Sequence, residues 1–450
     1  MIENIKTVVL WFLVLTSMTL TWFILSYQPE YDNLEDIDID YVQSEEIGES
    51  RSINEVISPK EILIHNQEDI SWIQPIEGHY PAFMEFLSEL ELEYFESGSS
   101  EDAPSLDQTL NGLELVFSEA IKHEWISDLF NVDENILPEE LDQIDRVILL
   151  EDSSGEGSSV ILQLISTELE VIYNFDIASL TIDQLEQMYE ESEEYQIPVE
   201  KRILNDDSMD DAFQQVIYVP TQPFTLKEYT YETADLPIAS FIQALFTDPE
   251  YVDRSPLGSQ TDSYTDGNRM MEIQDSENLI NYVRPGVVGS PISEEESLLE
   301  TAVDFINGHD GWTDEYYIGE LEQFMDSNEI SFRLHVDGIP VFGSNRSAEY
   351  YTMRLARSGG QISEYDRPIF KLDSATFEDT VEMPSIHEVD HQLEEEEWYN
   401  LETVEDIRVG YYMTRHRSFV TFRPAWYVET QNGRWTRLDM NSEEMENGLE

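Results

Sequence analysis

Residues 7 to 29 carry no charge, and within them Val8 to Tyr27 form an apolar run rich in Leu, Val, Phe and Trp. At about 1.5 Å of rise per residue, a helix of this length matches the roughly 30 Å hydrocarbon core of a bilayer. The run therefore predicts one transmembrane helix over 8–27, with everything beyond it folding on one side of a membrane. A cleaved leader has a shorter apolar run and a small-residue cleavage site. Here the run exits through the bulky Tyr27-Gln28-Pro29, the pattern of an uncleaved anchor. Lys6 flanks one end and Glu30, Asp32, Glu35 and Asp36 the other, so the positive-inside rule places residues 1–7 in the cytoplasm and the rest outside the cell. Trp11 near one interface and Trp22 with Tyr27 near the other suit aromatic belts.

The exported part is acidic enough to limit its partners. The chain has 23 Lys and Arg against 96 Asp and Glu, a formal charge of −73. Phosphate binding needs basic stripes, so nucleic acid is excluded. From residue 330 onward the imbalance falls to 12 basic against 23 acidic residues, which gives the carboxyl-terminal quarter a different surface. Carboxylates spread through the rest, with 6 Lys against 17 Arg, fit adaptation to high salt, where a Debye length near 3 Å screens self-repulsion. A hydrophobic fraction of 40% still allows real cores. The absence of Cys removes disulfides, thiolate metal sites and cysteine nucleophiles.

Periodicity and turn residues then divide the chain. Residues 28–58 read as an acidic juxtamembrane stalk, with order beginning near Pro59. A first α+β domain is expected over 59–205: a strand at 61–66, a helix at 80–95 with Phe83, Phe86, Leu87, Leu90 and Tyr94 at helical spacing, and a hairpin around Ser153 to Gly157. LEVIYNFD adds a strand, and 177–195 a helix with Leu180, Leu185, Met188 and Tyr189 inward. A second domain over 206–293 opens with the strand QQVIYVP and a helix in PIASFIQALFTDP. A third over 294–440 holds the helix ESLLETAVDFINGH and long strands turning at Asp337-Gly338 and Asn432-Gly433. Residues 441–450 form an acidic tail. Tyr282 to Pro285 and Tyr365 to Pro368 share the pattern Tyr-x-Arg-Pro, an echo that suggests two related α+β domains. The fold class is thus α+β with antiparallel sheets, in about three extracellular domains behind one anchor.

One segment carries a chemical signature. His387-Glu388-Val389-Asp390-His391 fits HExxH, where two His four apart hold zinc and the Glu acts as base on the metal-bound water. This makes His387, His391 and Glu388 candidates for a zinc peptidase. Against it stand the charged Asp390 and the lack of a placed third ligand, since Glu394 to Glu397 would offer only solvated carboxylates. An amphipathic surface helix with Val389 and Leu393 inward explains the segment as well. Gly155-Glu156-Gly157-Ser158 lacks a nucleophile elbow, Asp36 to Asp40 is half a calcium loop, and His65 and His335 sit singly in strands. No catalytic residue or cofactor is assigned.

The anchor, the strand LIHN, the segment YTDGNRMMEIQ, GIPVFG at 338–343 and the strands of 365–435 together resemble the YycH family, also called WalH, over essentially the whole chain. The resemblance implies a non-enzymatic, membrane-anchored regulator of the sensor histidine kinase WalK (YycG) and its response regulator WalR (YycF), which govern cell-wall metabolism in Gram-positive bacteria. It also implies a second, YycI-like partner, and contacts through transmembrane helices and extracellular domains. HExxH is not a family feature, and the heavy acidity departs from the family's usual pattern.

Within the anchor, Thr16, Ser17, Thr19 and Thr21 are the polar groups available to a partner helix, Thr16 with Thr19 three apart and Ser17 with Thr21 four apart. Such small polar flanks pack helices in lipid, though Ser and Thr also bond their own backbone. A third alternative, an extracellular domain sensing a cell-wall fragment, calls for a concave pocket between the second and third domains.

Overall fold

The computed structural model describes residue 16 and residues 47–438, apart from 68, 99–110, 131, 133–136, 139, 153–158, 178, 206–212, 258–260, 275–277, 288–296, 324–327, 344–347, 394–402 and 432. The chain forms two units, 1–42 and 43–450. In the first, Thr16 is helical and exposed; the rest of the anchor, including Ser17, Thr19 and Thr21, and the acidic tail lie outside the described residues. No described helix is long and apolar enough to cross a membrane.

In the second unit, nine strands form the first sheet: β1 (Glu61–Asn66), β2 (Asp69–Ile73), β3 (Leu92–Gly98), β4 (Asn111–Lys122), β5 (Gln143–Asp152), β6 (Ser159–Ser166), β7 (Val171–Ile177), β8 (Gln196–Asn205) and β9 (Gln215–Pro220). They lie in the order β3-β7-β6-β5-β4-β1-β2-β8-β9, all antiparallel. One face buries Ile62, Ile64, Leu113 and Leu115, residues two apart, as a half-buried strand dictates. Among the described residues, three α-helices belong to this part of the chain. α1 (His79–Ser88) buries Tyr80, Phe83, Met84 and Leu87, and α2 (His123–Phe130) buries Trp125, Ile126, Leu129 and Phe130. α3 (Ile182–Glu191) starts at a Thr181–Gln184 capping box.

The opposite face of this sheet is not left to water. Tyr218 on the edge strand β9 bonds Glu114 on β4, four strand spacings away in the sheet order. A flat sheet would separate those strands by about 19 Å, far more than a tyrosine spans, so the sheet curls over its own face. Phe213, just before β9, closes over Ile148, Leu150, Ile165 and Ile172 in the same way.

The second sheet has fourteen strands. In chain order these are β10 (Phe224–Asp235), β11 (Asp253–Pro256), β12 (Asp262–Thr265), β13 (Met270–Gln274), β14 (Leu279–Val283), β15 (Tyr316–Gln323), β16 (Asn328–Val336), β17 (Ile339–Phe342), β18 (Thr352–Ser358), β19 (Gln361–Pro368), β20 (Phe370–Met383), β21 (Val404–Arg415), β22 (Phe419–Thr430) and β23 (Arg434–Arg437). The path β11-β12-β13-β14-β19-β18-β16-β17-β21-β22-β10-β20 is antiparallel except for a short parallel contact of β17 with β21, through Val341 and Phe342; β15 pairs with β16 and β23 with β22. The Asp337-Gly338 turn has positive φ at both residues, the type I′ geometry that joins β16 to β17. α4 (Ile238–Leu245), α5 (Leu298–Asn307) and α6 (Ile386–Leu393) each bury an apolar stripe.

Several expectations change here. The helix expected over 80–95 ends at Ser88, because Leu92–Gly98 finds hydrogen-bond partners on β7. Packing begins by residue 47, ahead of Pro59: Ile47, Val56 and Ile57 are buried, and Glu49 forms a bridge with Trp312. QQVIYVP, expected to open a second domain, instead completes the first sheet by pairing with β8. The two Tyr-x-Arg-Pro copies fall on neighbouring strands of one sheet, with Tyr282 directly opposite Tyr365, so the pairing of β14 with β19 runs across the 293/294 boundary. The hairpin flanking 153–157 forms as β5 and β6; its tip lies outside the described residues.

Candidate functional site

A buried ionic region lies where the two sheets meet. Lys60, which leads into β1, reaches Asp406 on β21 at 2.6 Å, and the two side chains are 9% and 7% exposed. Arg408, two residues further along β21 and on the same face, grips Asp406 through Nε at 2.8 Å and donates to Ser118 on β4 at 3.0 Å. Burial pushes the Asp406 carboxyl up, but Arg408 and Lys60 outweigh it and hold it below its usual range. Around this pair Gln74 donates to the Thr225 carbonyl, and Phe224 packs edge-on against both Trp72 and Trp426. The Asp337-Gly338 turn abuts Pro75, whose carbonyl would lie 2.5 Å from a Cβ on Gly338.

The junction forms a partly open cavity of about 120 Å³. Acidic side chains line it from both sheets: Glu61 from β1, Glu119 from β4, Glu320 from β15 and Glu429 from β22. Burial, with neighbouring carboxylates adding to it, pushes Glu61, Glu119 and Glu429 each up to about 7, against the pull of Lys60 and Arg408. Arg333 stacks over Phe342 and Arg408 over Trp435 on the cavity wall. His335 is held neutral, brought down to about 3 by burial first.

A second ionic group lies under the curl of the first sheet. Glu114 is fully buried; the Tyr218 hydroxyl donates to its Oε2 at 2.8 Å, His65 Nε2 lies 2.8 Å from the same oxygen, and Arg146 is 3.6 Å from Oε1. Burial raises the carboxyl, but the hydrogen bond and electrostatic pull of His65, with the positive charge of Arg146, bring it down to about 2. Sequence reasoning saw His65 alone, because its partners are contributed by strands tens of residues away.

The HExxH segment takes a structural place. Glu388 turns back to its own helix start, accepting from the Ser385 backbone N–H and hydroxyl at 2.9 Å each, the returning half of a capping box. Asp390 receives both Arg202 nitrogens, at 2.8 and 2.7 Å, which ties α6 to β8. His387 is 63% exposed, with Nε2 3.9 Å from Glu200, and His391 is exposed on the last turn. Among the described residues no group of three or more His, Asp or Glu side chains is placed to hold a metal ion.

These features define a class: a two-sheet α+β scaffold whose parts are locked by a continuous apolar core and a buried ionic junction. Residues 3–196 match the family model described as YycH protein, N-terminal domain, and residues 214–445 the one described as YycH protein, C-terminal domain. The chain belongs to the YycH family. It is 22% identical to the Bacillus subtilis protein named "Two-component system WalR/WalK regulatory protein YycH", over 96% of this chain and 95% of that one. The crystal structure of YycH from Bacillus subtilis superimposes with a TM-score of 0.70 at 16% identity, covering 88% of this chain and 99% of that chain, which shows the shared fold.

Proposed function

We propose that this protein is a non-enzymatic, membrane-anchored regulator of a WalK-like sensor histidine kinase in the two-component signalling that governs cell-wall homeostasis, acting with a YycI-like partner. The observation that carries this reading is end-to-end similarity to the Bacillus subtilis WalR/WalK regulatory protein, without a large unmatched segment on either chain. The apolar run 8–27 supplies the anchor, with residues 1–7 cytoplasmic and the two-sheet region outside the cell. Thr16, Ser17, Thr19 and Thr21 form the flank that meets a partner helix. Each polar contact there contributes on the order of 0.6 kcal/mol, so several must act together.

Affinity purification of the full-length protein in mild detergent and high salt, followed by mass spectrometry, tests this. Recovery of a histidine kinase and a second single-pass protein supports the reading, and recovery of neither overturns it. Thr16→Leu combined with Thr19→Leu weakens kinase recovery if the flank is the contact; undiminished recovery removes the flank and leaves the ectodomain as the contacting surface.

A further inference from the structure

β20 closes one end of the second sheet. It pairs with β10 along Phe370–Met383, and among the described residues no strand pairs with its other side. Eight consecutive residues, Asp373 to Thr380, are exposed, so neither face of this stretch is covered, and Phe377 is 50% exposed. The register with β10 breaks between Thr230 and Thr233, opposite 372–377, where bulges blunt the edge. From Phe377 to Met383 the register runs without a break, seven residues of regular strand with no described neighbour on the outer side. There the Thr380 N–H donates to Asp379 Oδ1 at 2.8 Å, an acceptor supplied by its own strand. An unpaired strand side of this length is a template for another strand.

We propose that Phe377–Met383 docks an extended strand of a partner protein, one that carries Lys or Arg towards Glu378, Asp379 and Glu382 and small apolar side chains towards Phe377 and Val381. Main-chain hydrogen bonds then supply affinity and alternate side chains supply specificity. Charge decides the partner: β20 holds Asp373, Glu378, Asp379 and Glu382 against Lys371 alone. Lys227 of β10 reaches Glu378 at 3.8 Å, but Asp379 has Glu228 directly opposite it, and Arg423 of β22 serves Glu228 from the far side. Like charges facing each other across a strand pair destabilise it, and a cation on a strand added beside Asp379 offsets that repulsion. Side chains alternate along a strand, so Phe377, Asp379 and Val381 share one face and Glu378, Thr380 and Glu382 the other, which sets the order of the complementary residues. A second copy of this chain fits poorly, since antiparallel self-pairing centred on Asp379 or Thr380 sets carboxylates opposite one another. The proposal is independent of the regulatory reading, because it concerns what pairs with β20 and not which kinase the chain meets.

The probe is the fluorescent peptide TKVTKKV, written to lie antiparallel to Phe377–Met383, titrated against the full-length protein in detergent and followed by anisotropy. About 1 M NaCl shortens the Debye length to about 3 Å and suppresses attraction to the acidic surface at large. The expected result is saturable one-to-one binding, at least tenfold weaker for TEVTEEV and for Thr380→Pro. Proline there costs no bond to β10, since the Thr380 N–H is spent on Asp379, and it bars a neighbouring strand. A melting temperature within a few degrees of the parent shows that Thr380→Pro folds. Methylating alternate amides of the peptide decides the matter if it does not, because the protein is then unaltered. Only every second amide of an added strand faces β20, so one phase of methylation abolishes binding and the other preserves it. Absence of saturable binding overturns the proposal. So does equal binding of TEVTEEV, equal binding by a folded Thr380→Pro variant, or an equal response to the two phases of methylation.

Discussion

Lys60 and Asp406 meet at 2.6 Å across the junction of the two sheets, one on the segment leading into the first strand and the other on a long strand near the end of the chain. Both are more than nine-tenths buried, so the pair is locked in low dielectric, with Arg408 as its third member. Removing one partner from such a pair leaves an uncompensated buried charge. Lys60→Ala is expected to lower stability by about 3–5 kcal/mol. Arg354→Ala breaks an equally short contact to Asp366 at 2.6 Å, but Arg354 is 41% exposed and solvent screens the pair, so the loss there stays within about 1 kcal/mol. Urea unfolding of the two variants side by side checks the contrast, and equal losses would show that the junction is wetter than its geometry.

The junction carboxylates set the direction of the pH dependence. Glu61, Glu119 and Glu429 are raised from 4.5 to about 7 in the folded state, so between those values the folded protein holds more protons than the unfolded chain. Their contribution is present in full below about pH 4.5 and is lost as pH rises through 7. The groups facing them are Lys60, Arg333, Arg408, Asp406, Glu320 and the neutral His335. Melting temperature is therefore expected to fall from pH 5.5 to pH 8 at constant salt, and Glu119→Gln with Glu429→Gln flattens that slope. A slope unchanged in the double variant assigns the dependence elsewhere.

Glu114 works in the opposite sense. Its carboxyl falls from 4.5 to about 2, so its contribution is present above pH 4.5 and disappears as pH drops towards 2. Tyr218→Phe removes one neutral donor to a charged oxygen and is expected to cost about 1–3 kcal/mol. Glu114→Ala leaves His65 and Arg146 buried without their anion and costs about 3–5 kcal/mol. Denaturant titration distinguishes the two, and a Tyr218→Phe loss as large as that of Glu114→Ala would mean that Tyr218 holds the curl of the sheet by itself.

Local elements were legible because their signals are local. Leu298 to Ile306 repeat at helical spacing behind a Ser297 cap, and Asp337-Gly338 marks a hairpin, so α5 and the β16–β17 turn follow from the residues alone. The strand at 92–98 was hidden by the same logic. Leu87, Leu90 and Tyr94 keep a helical period, and only pairing with β7 decides against it. Domain limits were less legible still: β9 joins the first sheet across an acidic break, and β14 pairs with β19 some eighty residues later. The ionic junction was invisible because Lys60 and Asp406 lie 346 positions apart and neither belongs to a motif.

Gly338 tests the contact between the sheets from the backbone side. Its φ of +72° is unfavourable for any residue with a Cβ, and a Cβ there would meet the Pro75 carbonyl at 2.5 Å. Gly338→Ala is expected to cost more than the ~1 kcal/mol of the turn alone, because Pro75 must also shift. Gly433→Ala provides the comparison: its φ is +67° with nothing within 4 Å of the added Cβ, so only the backbone term remains. Calorimetric melting of both variants checks this, and a larger loss at Gly433 would place the strain in the hairpins and not between the sheets.

The HExxH helix gives the last contrast, because zinc chemistry and helix capping demand different things of the same residues. Glu388 accepts two bonds from Ser385, and those bonds hold its carboxyl below the usual range while it faces solvent. A capping role predicts that Ser385→Ala lowers stability by about 0.5–2 kcal/mol and that Glu388→Ala lowers it too, whereas His387→Ala and His391→Ala, both exposed, change it by no more than about 0.5 kcal/mol. A zinc role predicts the reverse ordering for metal content: the His variants strip bound zinc, and Ser385→Ala leaves it in place. Measuring zinc by atomic absorption on the parent and the four variants, alongside their melting temperatures, separates the two roles. Stoichiometric zinc lost on His387→Ala would make the segment a metal site in spite of its geometry. A stability pattern led by Ser385 and Glu388, with no zinc to lose, assigns it to holding α6 against β8 through the neighbouring Asp390–Arg202 pair.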